Sequence, residues 1–196
     1  MNTTLNTLQT EILETYQKAN QEAPKGGVLF LGDSLVEFLP TDKLHLDVPI
    51  YNRGIRGSNS QSLRRYLKVL TAGLEPEKIV LLIGTNDLML GSSVGDLLVH
   101  IEAILAYLKE RFPKADCYLE SLYPRRVSER YGSALVDEIA ETNLYLRHLE
   151  AHFIDIYPHL VGDKGLLKES FTRDGVHLTY QGYQPVLAVL EEVLGQ

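Results

Sequence analysis

Two stretches far apart in the chain carry the residue types of nucleophilic catalysis. Ser34 stands just after the apolar run 28–31, and Asp174 and His177 stand three residues apart near the end of the chain. That spacing, close to one helical turn, lets the carboxylate reach the histidine ring and fix its tautomer and orientation. If the two stretches meet, the sequence offers Ser34 as a nucleophile, His177 as its base and Asp174 as the orienting acid.

Two further stretches can supply hydrogen-bond donors for the negative oxygen that forms when a serine attacks a carbonyl group. The turn 52–58 contains two glycines, at which backbone N–H groups can be exposed, and residues 84–87 read GTND. The N–H groups of Ser34 and Gly57 and the side-chain amide of Asn86 can converge on one oxygen from three different loops. These groups are the candidate oxyanion hole.

Short apolar runs alternate with amphipathic stretches along the chain, which predicts a parallel sheet with helices on both faces. Ligands bind at the carboxyl ends of such strands, so the polar stretches should share one edge of the sheet. The predicted strands are 27–31, 48–52, 78–84, 116–122 and 152–156. Apolar steps of three and four predict helices at about 3–19, 63–70, 94–112, 133–150 and 180–194, the last one capped by Thr179.

The composition is that of one globular domain over residues 1–196, with 44% hydrophobic and 23% charged residues. The formal net charge of −7 comes from interspersed acidic residues, so neither a nucleic acid nor an anionic membrane is the expected partner. The chain shows no signal-peptide pattern and no apolar stretch near the ~20 residues of a membrane span. We therefore expect a cytoplasmic protein with a small-molecule ligand.

Four stretches resemble, in order, the motif blocks of the SGNH hydrolases, also called GDSL esterases. The blocks are GDSL at 32–35, NRGIRGS at 52–58, GTND at 84–87 and DGVHLT at 174–179. The resemblance implies an α/β fold, a three-layer α/β/α sandwich similar to flavodoxin with about five parallel strands. It also implies an ester-cleaving serine hydrolase that needs no metal or other cofactor.

The resemblance assigns a role to each matching residue. It makes Ser34 the nucleophile, His177 the base and Asp174 the acid that orients the base. The oxyanion hole is then completed by Gly57 and Asn86. Gly57 is chosen over the other glycine of its turn, Gly54, because the family's oxyanion glycine ends the G-x-x-G turn.

Within the family, the short chain and the stretches NRGIRG and GTND are most similar to the catalytic subunits of platelet-activating-factor acetylhydrolase and their bacterial relatives. Those subunits associate in pairs, so we expect a homodimer. Arg56 stands where that subgroup often has another glycine, which alters this part of the pocket. Asp33 is expected to support the nucleophile by accepting hydrogen bonds from neighbouring backbone N–H groups.

The substrate is the least constrained expectation. The segments between predicted elements are mostly short and leave no obvious lid, so we expect esters of small acyl groups, such as acetyl on a sugar, a lipid or another alcohol. Arg56 is a candidate substrate-binding residue. Arg125 and Arg126 follow the fourth strand and are candidates to flank an acidic substrate group, although solvated cations are the favoured interpretation.

Two other functions are open. A metal-dependent phosphoesterase has its possible ligands among Asp33, Asn86, Asp87, Asp174 and His177, but the chain lacks D-x-H and G-N-H segments, and Ser34 would have no task. Asn86 and Asp87 also suit turns, and we favour that structural role for Asp87. A non-catalytic domain holding an anion at the helix start after the first strand is the second alternative, against which stands the negative charge of Asp33.

Overall fold

The computed structural model describes residues 5–126 and 134–195 of the chain. Strands and helices alternate along it as predicted. The strands are β1 Val28–Gly32, β2 Ile50–Gly54, β3 Lys78–Leu82, β4 Asp116–Glu120 and β5 His152–Ile154. The helices are α1 Thr7–Gln21, α2 Ser34–Glu37, α3 Ser60–Leu70, α4 Thr85–Met89, α5 Val94–Arg111, α6 Ala134–Leu146, α7 Tyr157–Leu160 and α8 Tyr180–Leu194. Single 3₁₀ turns lie at Thr41–Lys43, Asp163–Gly165 and Glu169–Phe171.

The five strands form one parallel sheet in the order β2-β1-β3-β4-β5. This is the strand order of flavodoxin-like sheets, in which the direction of winding reverses at the first strand. Ligands of such sheets bind in the crevice at the carboxyl ends of the strands that flank this reversal. The α/β class and the flavodoxin-like parallel sheet are therefore confirmed.

The sheet is covered on both faces. Every residue of β1 is buried, as its wholly apolar sequence predicts. On one face α3 contacts α5 and α5 contacts α6, the arrangement that successive right-handed crossovers produce. Helix α8 packs with the chain between β1 and β2, where the Tyr183 hydroxyl donates to the Leu35 carbonyl at 2.7 Å. These contacts give the three layers.

Strand β2 extends two residues past its predicted end, to Gly54. The extension brings Gly54 into register with Gly32 at the end of β1. It also brings the backbone of Gly54 against helix α2, since a Cβ at this position would lie only 2.2 Å from the backbone nitrogen of Glu37. Only glycine fits this close approach, which seats the turn after β2 directly beside the start of α2.

The helix ends differ from the prediction where capping residues decide them. Helix α1 begins at Thr7 rather than near residue 3, because Asn6 forms a capping box with Gln9. Residues 3 and 4 lie outside the described residues, as does the predicted start of α6 at 133. Tyr180 continues the apolar spacing of the last predicted helix, yet it is 61% exposed at the first position of α8. Thr179 caps this helix as predicted, accepting from the Gly182 N–H.

No helix in the described parts of the chain is both long enough and apolar enough to cross a membrane.

Candidate active site

Ser34 lies at the carboxyl end of β1, on the first residue of the short helix α2. The preceding residue, Asp33, is the helix cap, and its Oδ1 accepts the Leu35 N–H at 2.9 Å. Ser34 is the first residue of the helix, so its own N–H has no partner within α2. The serine is 8% exposed. Ser34 thus places its hydroxyl and a backbone N–H that makes no bond within α2 together at the edge of the sheet.

His177 reaches Ser34 from the loop that precedes α8. Its Nε2 lies 2.9 Å from Ser34 Oγ, and its Nδ1 lies 2.6 Å from Asp174 Oδ2. The other carboxylate oxygen, Oδ1, accepts the backbone N–H groups of Val176 and His177. Burial would raise the pKa of Asp174, but the hydrogen bond from the His177 ring and those two N–H groups outweigh it and lower the pKa to about 2. Asp174 is therefore an ionised acceptor for the imidazole.

The loop that carries Asp174 and His177 is stabilised by hydrogen bonds within itself and by one to the chain after β4. Thr172 pairs with Leu178 in an isolated antiparallel bridge, and the Thr172 hydroxyl accepts the Gly175 N–H at 2.9 Å. The Gly175 carbonyl in turn accepts the N–H of Arg126, just beyond β4, at 3.0 Å. These bonds hold the orientation of His177 before any ligand arrives.

The candidate oxyanion donors follow three neighbouring strands that end in register. Gly32 pairs with Gly54 on one side and with Leu82 on the other. Ser34, Gly57 and Asn86 each follow one of these three residues by two to four positions. The three residues therefore follow the same edge of the sheet, on neighbouring strands.

Side-chain hydrogen bonds tie two of these loops to each other. Asn86 Nδ2 donates to the Ser58 carbonyl, next to Gly57, at 2.8 Å. The neighbouring Asp87 carboxylate accepts the Ser60 N–H at 2.9 Å and the Ser60 hydroxyl at 2.5 Å, at the start of α3. Burial raises the pKa of Asp87, although these Ser60 donors lower it. Asp87 was expected to form a turn, but it lies within α4 and its carboxylate links this helix to the start of α3.

A buried carboxylate missed by the sequence reasoning lies below the site. Glu120 ends β4 and accepts the Tyr123 hydroxyl at 2.6 Å. Burial raises the pKa of Glu120 to about 7, and the nearby charge of Asp33 raises it as well. Burial likewise raises the pKa of Asp33 to about 7, against the lowering effect of the Leu35 N–H. The signal for Glu120 in the sequence was an acid directly after Leu119 at the carboxyl end of a strand, the end at which the site lies.

The candidate arginines are already engaged within the protein. Arg56 forms a salt bridge with Glu37, with Nε 2.7 Å from Oε1, and its guanidinium lies over the Phe38 ring at 4.9 Å. Arg125 is only 3% exposed and contacts the Met89 sulfur, so the interpretation as a solvated cation was wrong for it. The backbone of the same residue is also engaged, since the Arg125 carbonyl accepts the Leu167 N–H at 3.1 Å.

Among the described residues, no three histidine, cysteine, aspartate or glutamate side chains group closely enough to hold a metal ion. Of the ligands considered for a phosphoesterase, Asp33 and Asp87 point their carboxylates at backbone N–H groups, and Asp174 points at His177.

Known proteins share both the sequence pattern and the fold. Human platelet-activating factor acetylhydrolase IB subunit alpha1 is 29% identical over 177 residues, which cover 85% of this chain and 74% of the human protein. A solved structure from Streptococcus pneumonia, named in connection with platelet activating factor, superimposes with a TM-score of 0.86 at 31% identity, covering 95% of this chain and 92% of that one. A GDSL-like lipase from Bacteroides thetaiotaomicron shares the fold, with a TM-score of 0.74 at 21% identity and coverage of 93% and 96%.

These similarities confirm the resemblance drawn from the four motif blocks, including the likeness to platelet-activating factor acetylhydrolase subunits. The model of the GDSL-like lipase/acylhydrolase family matches residues 30–184, which contain every candidate catalytic residue. The chain belongs to the GDSL-like lipase/acylhydrolase family and is a hydrolase that acts on esters.

Proposed function

We propose that the protein is a serine esterase that cleaves carboxylic esters of short acyl groups, acetyl above all, through an acyl-enzyme on Ser34. The observation that carries this proposal is the continuous hydrogen-bonded line from Ser34 through His177 to Asp174, with distances of 2.9 and 2.6 Å. A nucleophile within reach of a base, and a base oriented by a third group, is the arrangement that activates a serine hydroxyl.

In the first step, His177 Nε2 takes the hydroxyl proton of Ser34 while Oγ bonds to the ester carbonyl carbon. The carbonyl electron pair moves to its oxygen, which receives hydrogen bonds from the Ser34 and Gly57 N–H groups and the Asn86 amide. The tetrahedral intermediate then collapses, the bond to the alcohol oxygen breaks, and the alcohol leaves with the proton from His177.

In the second step, a water molecule replaces the alcohol. His177 takes a proton from this water as its oxygen attacks the acyl carbon, and the same donors hold the second oxyanion. Collapse releases the carboxylic acid and returns the proton to Ser34. Asp174 stays ionised throughout, because its pKa of about 2 lies far below neutral pH, and it stabilises the imidazolium that forms in each step.

The preference for short acyl groups rests on the surroundings of Ser34. Helix α2 starts within two residues of the end of β1 and α4 within three residues of the end of β3, so neither of these two connections beside Ser34 is long enough to form a lid. The Phe38 ring stands edge-on to His177 at 5.5 Å between ring centroids. A surface pocket of about 420 Å³ is lined by Asp174, His177 and their neighbours in the same loop. The name of the human relative, an acetylhydrolase, agrees with this preference.

The test is hydrolysis of p-nitrophenyl acetate, butyrate and octanoate by the wild type, by Ser34→Ala and by the matched control Ser92→Ala. We expect kcat/KM to be highest for acetate, turnover to vanish in Ser34→Ala, and Ser92→Ala to behave as the wild type. Rates that rise toward octanoate would contradict the short-acyl preference. Hydrolysis of bis-p-nitrophenyl phosphate that excess chelator abolishes, with Ser34→Ala unimpaired, would instead establish the phosphoesterase.

Three expectations from the sequence stay predictions: a cytoplasmic location, a homodimer, and contact between substrate and Arg56 or Arg125. For Arg56, its bond to Glu37 beside Phe38 supports a role in shaping the rim of the site rather than in pairing with a substrate charge. Sedimentation equilibrium tests the homodimer. Comparing KM for neutral and anionic acetyl esters in Arg56→Gln tests the contact with substrate.

A further inference from the structure

We infer that helix α1 positions the oxyanion hole, and that Gln9 is the positioning residue, because its side-chain amide holds the peptide group that joins Arg56 to Gly57. The inference deepens the proposed function and rests on it, since it concerns the donor that Gly57 supplies. Gln9 lies before residue 30 and is thus outside the part of the chain that the family model matches.

The contact is short and sheltered from water. Gln9 is only 8% exposed, although it lies on a surface helix, and its Nε2 donates to the Arg56 carbonyl oxygen at 2.9 Å. The same Nε2 lies so close to the turn that a Cβ on Gly57 would come within 3.3 Å of it. The amide therefore packs directly against the backbone of the candidate donor.

That carbonyl and the Gly57 N–H belong to one planar peptide unit. In a trans peptide the C=O and N–H point in opposite directions, so fixing the carbonyl also fixes the direction of the N–H. Residues 55–58 form a turn that the Ser58 N–H closes on the Ile55 carbonyl at 3.1 Å, with Gly57 at a φ of +73°. The closing bond does not involve the central peptide between Arg56 and Gly57, which differs in direction between turn types. The bond from Gln9 fixes the direction of that peptide, and it also polarises the peptide so that the N–H becomes a stronger donor.

The orientation of the Gln9 amide is itself determined. Its Oε1 accepts the Asn6 N–H at 3.1 Å, while the Asn6 side chain accepts the Gln9 N–H at 2.9 Å. This capping box occupies the amide oxygen and leaves the NH₂ group to face Arg56. One residue thus links the start of α1 to the oxyanion turn.

A second bond from α1 holds the other end of the turn. The Tyr16 hydroxyl donates to the Gly54 carbonyl at 2.8 Å, and further along the helix Asn20 Oδ1 accepts Arg53 Nε at 2.8 Å. Burial of Tyr16 raises its pKa to about 12, so that it remains a donor at any pH at which the enzyme works. Helix α1 consequently donates hydrogen bonds to two carbonyls of the turn, those of Gly54 and Arg56.

The expected effect follows from what a misdirected donor costs. Losing one oxyanion donor lowers kcat by about 10²- to 10³-fold, and a small displacement of one costs part of that. We expect Gln9→Met, which keeps the length of the side chain and removes its donor, to lower kcat by about 10- to 100-fold with KM within about twofold of the wild type. Gln9→Lys, which restores a donor of similar reach, should recover most of the loss.

The experiment measures kcat and KM for p-nitrophenyl acetate, the inhibition constant of a trifluoromethyl ketone, and the thermal midpoint. The variants are the wild type, Gln9→Met, Gln9→Lys and the matched control Gln17→Met, which makes the same change at an exposed position of the same helix. The ketone forms a serine adduct whose negative oxygen occupies the hole. Its inhibition constant should therefore rise in Gln9→Met by the same factor as kcat/KM falls. General loosening of α1 would instead lower the thermal midpoint and leave both the inhibition constant and kcat/KM unchanged.

Suppose first that the wild type shows turnover that Ser34→Ala abolishes. The inference alone is then overturned if kcat in Gln9→Met lies within twofold of the Gln17→Met value. It is also overturned if kcat falls while the inhibition constant of the ketone stays unchanged. Absence of such Ser34-dependent turnover in the wild type would overturn the proposed function, and the inference with it. The two failures are thereby distinguished in one set of assays.

Discussion

Ser34 Oγ and His177 Nε2 lie 2.9 Å apart although 143 positions separate the two residues in the chain. The contact joins the first strand of the sheet to the loop before the last helix. A second hydrogen bond runs beside it, from the Tyr183 hydroxyl to the carbonyl of Leu35, at 2.7 Å. The residue after Ser34 is thus bound to the helix that follows His177, which helps to keep the two side chains at bonding distance.

Asn86→Ala should lower kcat about 10²- to 10³-fold, because it removes a donor that strengthens its bond to the substrate oxygen as negative charge develops. The lost bond to the Ser58 carbonyl should reduce the free energy of unfolding by only about 1 kcal/mol. Steady-state kinetics with p-nitrophenyl acetate and urea unfolding measure the two effects. A kcat equal to that of the wild type would remove Asn86 from the oxyanion hole.

Thr85→Val is the matched change at the adjacent position and should behave in the opposite way. Within the described residues, the Thr85 hydroxyl is buried without a hydrogen-bond partner. Replacing it by a methyl group of the same shape removes an unsatisfied polar atom, so the free energy of unfolding should stay equal or rise by about 1 kcal/mol, with kcat unchanged. Destabilisation by more than about 1 kcal/mol would mean that the hydroxyl has a bonding role.

Asp174→Asn should lower kcat on the order of 10⁴-fold while leaving the loop intact. The Asn oxygen can still accept the Val176 and His177 N–H groups, but its NH₂ group would face His177 Nδ1 and favour the wrong tautomer of the ring. Rates of p-nitrophenyl acetate hydrolysis, with circular dichroism as the control for folding, test this. A loss smaller than tenfold would show that a different group orients the histidine.

Stability should fall as the pH rises toward neutral, because of Asp33 and Glu120. Burial raises the pKa of each to about 7 in the folded protein. Between the ordinary carboxyl pKa near 4 and this value the folded state binds more protons than the unfolded one. Their stabilising contribution is therefore complete below about pH 4 and is lost as the pH rises through about 7.

Urea unfolding at pH 5 and pH 8 measures this dependence. Asp33→Asn keeps an acceptor for the Leu35 N–H, removes one titrating group and removes the charge that raises the pKa of Glu120, so its loss of stability between the two pH values should be smaller than that of the wild type. Asp174 does not contribute in this window, since its pKa of about 2 leaves it ionised in both states. Equal losses in the variant and the wild type would show that Asp33 does not titrate there.

The strands and the contact between Asp174 and His177 were predictable because both depend on local sequence patterns. Apolar runs mark buried parallel strands wherever the sheet is covered on both faces, and the spacing of Asp174 and His177 fixes their contact within one short loop. The junction with Ser34 required only that the carboxyl ends of parallel strands share an edge.

Other features depend on tertiary contacts that leave little trace in the sequence. Arg125 is buried against Met89, 36 positions away in the chain, whereas the usual exposure of arginine favoured a solvated cation. Gln9 reads as one polar residue of an amphipathic helix, and only the packing of that helix brings it to Arg56, 47 positions away. Tyr180 fits the apolar spacing of the last helix, but at the first position of that helix it is 61% exposed.

The central claim, that Ser34 is an activated nucleophile, is tested most directly by covalent labelling with a fluorophosphonate followed by mass spectrometry of the labelled peptide. We predict one adduct per chain, on Ser34, that forms rapidly in the wild type and is absent in Ser34→Ala. Labelling should slow greatly in His177→Ala, because the hydroxyl loses its base. A wild-type protein that takes up no label on Ser34, or labels equally fast without His177, would contradict the claim.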